Sequence, residues 1–235
     1  SIAYKLDGYH EIICKTRTDE DDGRGGVALF IKDSYSYNLR QDLSVFIPHV
    51  IESVFIEIVL PHKKNIVIGS IYRPNTQPRA DIDIFMKSIV DISDIVNGEN
   101  KILFLTGDFN IDLLKYQDHE KTRIFVDDLF TRGVFPLITR PTRVTDSSAT
   151  VIDHIHTNWD KQFTSGIIIT DIADHFGTFT IVKGETKHPS LGSKQKRFFS
   201  EPSITNFRNA LKDTDFSNVL NCSNANEAYD LFLDL

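Results

Sequence analysis

The segment FLTGDFN at 104–110 places an acid and an amide directly after a short apolar run. Gly107 predicts a turn at the end of a buried strand, so Asp108 and Asn110 beyond it can point into one cleft. A carboxylate can hold a metal-bound water or take its proton, and an amide can donate to a phosphate oxygen without adding repulsive charge. A local turn, in which Asp and Asn bond only nearby backbone, explains this segment equally well when it is taken alone.

An acid and an imidazole occur together in two further segments, IDHIH at 152–156 and ADHF at 173–176. A carboxylate that is hydrogen-bonded to one imidazole nitrogen fixes the tautomer, so the other nitrogen can face a substrate in a defined protonation state. We predict such a pair between Asp153 and His175. For a histidine taken alone, a structural or surface role is the more common interpretation.

In series, these segments gather several reactive side-chain types at predicted strand ends. Tyr72, in the segment YRPN, adds a phenol to the acids, the amide and the imidazole. Phosphodiester hydrolysis needs an activated water, neutralised charge on the phosphorus oxygens and a stabilised leaving oxyanion, and this inventory suits those needs. One or two Mg²⁺ ions provide much of that chemistry, so we predict Mg²⁺, or Mn²⁺ in its place, as the cofactor.

The elements that must hold these side chains are mostly short strands. Apolar runs rich in Ile, Val and Phe predict strands at 27–31, 50–58, 65–72, 101–107, 150–156, 166–170 and 178–182. Apolar residues at helical spacing predict helices behind Asp81 and from about 119 to 132. Such a mixture favours layered β-sheets with helices packed outside them.

The sequence divides near Lys183. Residues 1–183 are predicted to form the core domain, whereas 184–200 are polar, dense in Lys, Ser, Gly and Pro, and typical of a linker. Apolar stripes near 204–211 and from about 224 to the final residue predict two short helices. We therefore predict that 184–235 is a linker with short helices, leading toward a further domain.

The amino-acid composition limits the classes of protein to which the chain can belong. With 40% hydrophobic and 25% charged residues, the 235-residue chain is typical of a soluble globular protein with a substantial core. The net charge of -7 argues against a protein coated in nucleic acid, but not against an enzyme that makes a few phosphate contacts. The two cysteines form no CxxC motif, and no apolar run reaches the length of a membrane span, so no disulfide framework and no membrane partner are predicted.

Six segments, in their order and spacing, resemble the endonuclease/exonuclease/phosphatase superfamily, in the branch found in LINE-type, non-LTR retrotransposon polyproteins. They are GRGGVALFIK at 23–32, IESVFIEI at 51–58, IVIGSIYRPN at 66–75, LTGDFNIDLL at 105–114, RPTRVTDSSATVIDHIHTN at 140–158 and ADHF at 173–176. The tail, with RFF at 197–199 and YDLF at 229–232, resembles the segment that links the nuclease to the reverse transcriptase.

The resemblance implies a four-layer α/β sandwich, in which two packed mixed β-sheets are flanked by helices. This sandwich would be incomplete at its N-terminus and would carry a short helical C-terminal extension. It also implies a DNA endonuclease that nicks target DNA for retrotransposition, joined in the full polyprotein to a reverse transcriptase domain absent from this chain. An intracellular location, in the nucleus or cytoplasm, is expected from the family, and the oligomeric state is not predicted.

The resemblance assigns roles to the matching residues. Asp108 resembles the acid that binds metal and orients or deprotonates the attacking water, and Asn110 the donor to the scissile phosphate. His175 resembles the imidazole that contacts the phosphate, with Asp153 as its orienting partner. The remaining matches are Asp174 as a metal-site acid, Tyr72 as a phenol near the phosphate or leaving group, and Thr142 as a residue near the DNA backbone.

Four arginines in predicted loops are candidates for contacts with the DNA backbone: Arg24, Arg73, Arg140 and Arg143. Phosphate contacts position a nuclease more than they specify sequence. For any single one, a solvated surface arginine is the more common interpretation, and Arg143 is the strongest candidate.

Two departures from the family pattern affect the expected activity. The first strands of the family, with an Asn and the principal metal-binding Glu, are expected to precede Ser1, and Ala173 stands where the family has Ser. We therefore predict little nuclease activity for this chain by itself. Two alternatives stay open: a phosphatase for small phosphorylated substrates from the same superfamily, and a non-catalytic transposon remnant.

Overall fold

A computed structural model describes residues 6–16, 26–75, 81–170, 173–183 and 201–233 of the chain. The chain divides into two compact units, Ser1–Gly184 and Glu185–Leu235. The predicted linker at 184–200, most of the predicted GRGG turn and Arg24 lie outside the described residues.

Short strands dominate the first unit, as the apolar runs predict. Its described strands are β1 Ile13–Thr16, β2 Gly26–Leu29, β3 Tyr37–Leu39, β4 Phe46–Ile47, β5 Ile51–Ile58, β6 Ile66–Tyr72, β7 Ile102–Asp108, β8 Phe135–Pro136, β9 Arg143–Thr145, β10 Ser148–Thr150, β11 Asp153–Thr157, β12 Phe163–Ile168 and β13 Gly177–Val182. Its described helices are α1 Asp81–Gly98 and α2 Glu120–Thr131, with a 3-10 turn at Leu113–Lys115. The ring of His119 caps α2 by accepting the backbone N–H of Thr122, so this helix begins where predicted.

In the described part of the chain, seven strands form one mixed sheet. Their order is β3-β5-β6-β7-β11-β8, and β4 also pairs with β5. β6 and β7 are parallel and are connected through α1, whereas the other neighbours are antiparallel. The predicted α/β class is therefore confirmed. The ribbons β1–β2 and β12–β13 and the hairpin β9–β10 form separate two-stranded sheets beside it.

The two faces of the sheet bury different cores because side chains alternate along each strand. One face packs on α1 and α2 through a cluster that includes Phe55, Val67, Phe85, Ile89, Leu103, Leu105, Phe125 and Leu129. On the other face, Phe104 and Ile155 cluster with Ile167 of β12 and Val182 of β13. The sheet therefore has a helical layer on one side and a β-ribbon on the other.

The strand predicted over 150–156 divides at Val151 and Ile152, between β10 and β11. The backbone N–H of Val151 donates to Asp112 Oδ1 at 3.0 Å, and that of Ile152 donates to Thr142 Oγ1 at 3.2 Å. Side chains from distant segments thus take the place of a strand partner here. The predicted bounds are wrong at this point because apolar periodicity carries no signal for such partners.

A close approach of β6 and β7 requires glycine at position 107. The φ of Gly107 is +133°, and a Cβ added there would overlap the backbone oxygen of Ile71 on the neighbouring strand. A side chain would therefore force the two parallel strands apart, directly before Asp108.

We expect Gly107→Ala to lower the free energy of unfolding by about 2 to 3 kcal/mol more than Gly133→Ala does. Gly133 is the matched control because its φ is +68° but nothing lies within 4 Å of an added Cβ. Urea unfolding of both variants measures the difference. Equal losses would show that the contact with Ile71 is not limiting.

The second unit is helical, and its described helices are α3 Glu201–Asp213, α4 Ser217–Leu220 and α5 Ala225–Leu233. The predicted short helical C-terminal region is therefore confirmed. Phe216 and Phe232 stack with their ring centroids 6.3 Å apart. Among the described residues of the whole chain, no helix has both the length and the apolar character that crossing a membrane requires.

Candidate active site

Three predicted site residues lie in one row across the ends of neighbouring strands. Tyr72 pairs with Asp108 in the parallel register of β6 and β7, and Asp108 pairs with Asp153 in the antiparallel register of β7 and β11. Directly paired residues project to the same face of a sheet. The phenol and the two carboxylates therefore share the face that packs against β12–β13.

Asp108, Asp153 and His175 form a group of potential metal ligands. One ligand atom from each lies within 4.8 Å of the other two, and all three residues are partly buried. His175 Nδ1 lies 3.1 and 3.0 Å from the two carboxylate oxygens of Asp153. A carboxylate only accepts, so Nδ1 carries the proton and donates, and Nε2 is the nitrogen left for a ligand. The structure thus brings together the pair that the sequence predicts.

Burial raises the pKa of Asp108 above its usual value, and the negative charge of Asp153 raises it further. A hydrogen bond from the backbone N–H of Asn110, and the charges of His175 and Arg73, act in the opposite direction. Two carboxylates in one half-buried place repel each other, and a bound cation relieves this repulsion. The electrostatics of the group therefore suit a divalent cation.

Asn110 lies in a tight turn two residues after Asp108. Its φ is +49°, and its backbone N–H donates to Asp108 Oδ1 at 3.0 Å. Its side-chain Nδ2 donates to the carbonyl of Arg73 at 2.7 Å. The local turn is therefore present, and the amide keeps a second N–H that the bond to Arg73 does not use.

Thr142 stabilises the backbone segment that carries Asp153. Its side chain is fully buried, and its hydroxyl oxygen accepts the backbone N–H groups of Ile152 and Asp153, at 3.2 and 3.0 Å. The hydroxyl therefore fixes the start of β11, which carries Asp153. This geometry differs from the predicted contact with a DNA backbone, because the bulk of the protein covers the side chain.

Asp174 and Arg143 form an exposed ion pair at the rim. Arg143 Nε donates to Asp174 Oδ2 at 2.8 Å, and the two side chains are 42% and 50% exposed. This hydrogen bond holds the pKa of Asp174 below its usual value. Among the described residues the group of potential metal ligands includes Asp108 but not Asp174. Asp174 is therefore paired with Arg143, and its role as a metal-site acid stays a prediction.

Glu52 extends the row of site residues by one strand. It pairs with Tyr72 between β5 and β6, and the residue is only 2% exposed. Sequence reasoning missed this acid. The signal available was a carboxylate inside a run of apolar strand residues, where burying a charge is costly and calls for a reason.

Two buried histidines lie on the opposite face of β11. His154 Nε2 donates to the carbonyls of Ile111 and Val151, at 2.9 and 3.1 Å, and its Nδ1 accepts from His156 Nε2 at 3.1 Å. Burial lowers the pKa of His154 to about 4 and the pKa of His156 well below its usual value. These neutral rings tie the loop beyond Asn110 to the segment before Asp153.

Fold and site together define an α/β domain with two acids and an imidazole at the edge of a mixed sheet. A scan against protein-family models found no match, and a search of curated proteins found none either. Solved structures do match. One is the endonuclease domain of TRAS1, a telomere-specific non-LTR retrotransposon, with a TM-score of 0.53 and 17% identity over 72% of this chain and 76% of that one.

A second similar structure is the 3'-5' exonuclease NExo from Neisseria meningitidis. Its TM-score is 0.50 at 13% identity, over 74% of this chain and 78% of that one. At such low identities these likenesses concern the fold alone. The chain therefore shares its sheet-and-helix architecture with two nucleases, and its chemistry has to be argued from its own residues.

Proposed function

We propose that this chain hydrolyses phosphodiester bonds with the help of a divalent cation and that its substrate is DNA. The observation that carries the proposal is the convergence of Asp108, Asp153 and His175, from three separate segments, within 4.8 Å. A half-buried acid whose pKa is raised, at the end of a strand, is a recognised mark of a functional site. The fold shared with two nucleases supports the same interpretation.

The ligand set fits Mg²⁺ or Mn²⁺. Carboxylate oxygens are the preferred ligands of both ions, and an imidazole nitrogen is accepted more readily by Mn²⁺. When bound, such an ion neutralises charge on the phosphate and lowers the pKa of a water. Asp108 and Asp153 would hold it, since their mutual repulsion is the feature that a cation offsets.

The chain's own residues have separable tasks in this proposal. Asp108 orients the attacking water and accepts its proton, because its carboxylate lies in the same group as Asp153 and His175. Asp153 holds the His175 imidazole through Nδ1, so that Nε2 faces the phosphate. Asn110 donates its second amide hydrogen to a phosphate oxygen, and Tyr72 places its phenol on the same face as the acids.

The finer proposal is an endonuclease that nicks target DNA for a LINE-type, non-LTR retrotransposon. The order and spacing of the six segments support it, as does a fold shared with one such endonuclease domain. Arg143 at the exposed rim is the proposed contact to the DNA backbone, where its ion pair with Asp174 is solvated and easily exchanged for a phosphate. The proposed covalent partner is a reverse transcriptase domain.

A nicking assay on supercoiled plasmid tests the proposal. We expect the 235-residue chain to convert supercoiled plasmid to open circles slowly, only with Mg²⁺ or Mn²⁺, and His175→Gln to reduce the rate by about 10²-fold. His10→Gln is the matched control, because it also removes a hydrogen-bonded imidazole, but one that donates to the backbone carbonyl of Tyr35 and not to a site carboxylate. Nicking that persists in EDTA, or that His175→Gln leaves unchanged, would overturn the proposal.

A phosphate monoester assayed in parallel with the plasmid separates the proposed hydrolytic activity from the proposed DNA substrate. Metal-dependent release of phosphate from an inositol phosphate, without nicking, would replace the DNA substrate by a small one and keep the hydrolytic site. Mn²⁺ binding with neither activity would favour a non-catalytic remnant. Electron paramagnetic resonance of Mn²⁺ reports that binding directly.

A further inference from the structure

Arg73 follows directly after Tyr72 at the end of β6 and faces the turn that carries Asn110. We infer that Arg73 is a positioning residue, which holds the Asp108–Asn110 turn in its working conformation through a reciprocal set of hydrogen bonds. This inference rests on the proposed function, because it concerns the geometry of that site. Its position in a predicted loop makes Arg73 a candidate for contact with the DNA backbone. In this inference it acts through Asn110 instead.

The guanidinium of Arg73 binds two successive carbonyls of the turn. Its Nε donates to the carbonyl of Phe109 at 2.7 Å, and its Nη2 donates to that of Asn110 at 2.5 Å. The backbone completes the set, since the Arg73 N–H donates to the carbonyl of Asp108 at 2.9 Å. Asn110 Nδ2 returns a bond to the Arg73 carbonyl at 2.7 Å. Arg73 and the turn at 108–110 therefore each donate hydrogen bonds to the other and accept them from it.

The conformation that this set holds is one that the turn would not keep unaided. Asn110 has a φ of +49°, in the left-handed region that a non-glycine residue occupies at a cost of about 1 kcal/mol. Consecutive carbonyls point in opposite directions along an extended strand, so one side chain can bind both only where the backbone leaves that conformation, as it does in this turn. The planar fork of arginine can bind both at once, whereas the single ammonium of lysine cannot match that spacing.

The positive charge of Arg73 also interacts with the carboxylate of Asp108. The residue is partly buried, and its guanidinium carbon lies 5.9 Å from the ring centroid of Phe85, so packing restricts its movement. Burial lowers its pKa, and the charge of Asp108 acts against that change. Its carbonyl partners are neutral, so the positive charge stays available to stabilise Asp108 in its ionised form.

A merely structural clamp and a positioning residue make different predictions. If Arg73 only stabilises the fold, its loss lowers stability, and any loss of activity adds to that of other variants. If Arg73 acts through Asn110, then removing Asn110 removes the benefit of Arg73 as well. A double-mutant cycle between the two residues distinguishes these cases.

The experiment combines Arg73→Ala and Asn110→Gly, the latter chosen because glycine tolerates the positive φ. We expect Arg73→Ala to reduce kcat for plasmid nicking by about 10²-fold with KM changed less than about threefold. The double variant should nick no more slowly than Asn110→Gly alone. Multiplying losses, or an unchanged kcat in folded Arg73→Ala, would overturn the inference.

Further variants keep the test informative if Arg73→Ala folds poorly. Arg73→Lys keeps the charge without the fork, and we expect its kcat to stay within about threefold of that of Arg73→Ala. Full activity in Arg73→Lys would overturn the role of the fork. Arg132→Ala is the matched control, because Arg132 donates to a carboxylate on α1 and to a carbonyl on α2, at 2.8 Å each. It should lose stability and keep kcat.

The same variants separate this inference from the proposed function. If the wild-type chain does not nick DNA, the proposed function fails whatever Arg73 does. Urea unfolding of the four members of the cycle still reports whether Arg73 and Asn110 are coupled. Because Asn110→Gly keeps the carbonyls that the Arg73 guanidinium binds, an unfolding midpoint unchanged by Arg73→Ala in either background would then overturn the reciprocal lock itself.

Discussion

Replacing Asp108 with Asn is expected to reduce metal-dependent hydrolysis by about 10²- to 10³-fold and to weaken Mn²⁺ binding by about tenfold or more. The substitution keeps the shape of the side chain and an oxygen that can still accept the backbone N–H of Asn110. It removes the negative charge that faces Asp153 and the group that accepts a proton. The loss should therefore fall on kcat and on metal affinity, while the fold is kept.

Asp91→Asn provides the matched control for this result. Asp91 is an exposed acid of α1, paired with Lys87 one helical turn away, and its loss changes the net charge of the chain by the same amount. Plasmid nicking and Mn²⁺ titration of both variants make the comparison. If Asp108→Asn binds Mn²⁺ as tightly as Asp91→Asn does, the metal is held elsewhere and the proposed site is wrong.

The parts of the site that sequence could predict are those carried by strand ends. Asp108 follows a buried apolar run and a glycine, and both features are local. The apolar run over 65–72 likewise places Tyr72 at the end of its strand, whereas the strand predicted over 150–156 has Asp153 in its interior, and the residue lies at the start of β11. Once neighbouring strands are paired, the row of acids follows, because residues in register share a face of the sheet.

What sequence could not predict are the contacts between segments far apart in the chain. Nothing near Thr142 indicates that its hydroxyl will accept two backbone N–H groups where β11 begins, those of Ile152 and Asp153. An arginine in a loop likewise carries no sign of whether it meets solvent, DNA or two carbonyls, as Arg73 does. Such partners depend on the tertiary fold, so a local pattern contains no information about them.

His154 and His156 are a further case in which a local sequence pattern does not decide the role of a residue. In the segment IDHIH, alternation places Asp153 on the site face and His154 and His156 on the helical face. His154 stacks on Phe109 with ring centroids 4.7 Å apart and holds the carbonyl of Ile111. The core of the domain and the turn that bears Asn110 therefore share one pair of neutral imidazoles.

Because these two imidazoles are buried and neutral in the folded chain, we predict that the domain loses stability in mild acid. In an unfolded chain both histidines take up a proton below about pH 6.5, whereas burial keeps the pKa of His154 at about 4 in the folded chain. The unfolded state therefore binds more protons in this window, and stability falls as pH decreases. Each unit of pKa difference corresponds to about 1.4 kcal/mol, so we expect a loss of about 3 kcal/mol from His154 between pH 6.5 and 4.

His156→Phe isolates the effect of the second histidine. Phenylalanine keeps an aromatic ring beside Phe109 and Phe125, whose ring centroids lie 5.5 and 5.7 Å from that of His156, but it cannot take up a proton. Acidic groups titrate in both proteins and cancel in the comparison. The plot of unfolding free energy against pH should then be shallower in the variant by about 1.4 kcal/mol per pH unit below pH 6.5.

Urea unfolding at a series of pH values measures these slopes, and identical slopes would mean that His156 is already protonated in the folded chain or stays neutral in the unfolded one. His154 holds the carbonyl next to Asn110, and in the folded chain its ring stays neutral down to about pH 4. The fall in stability between pH 6.5 and 4 therefore comes from proton uptake by the unfolded chain, and the folded protein is expected to keep the turn that bears Asn110 over that range.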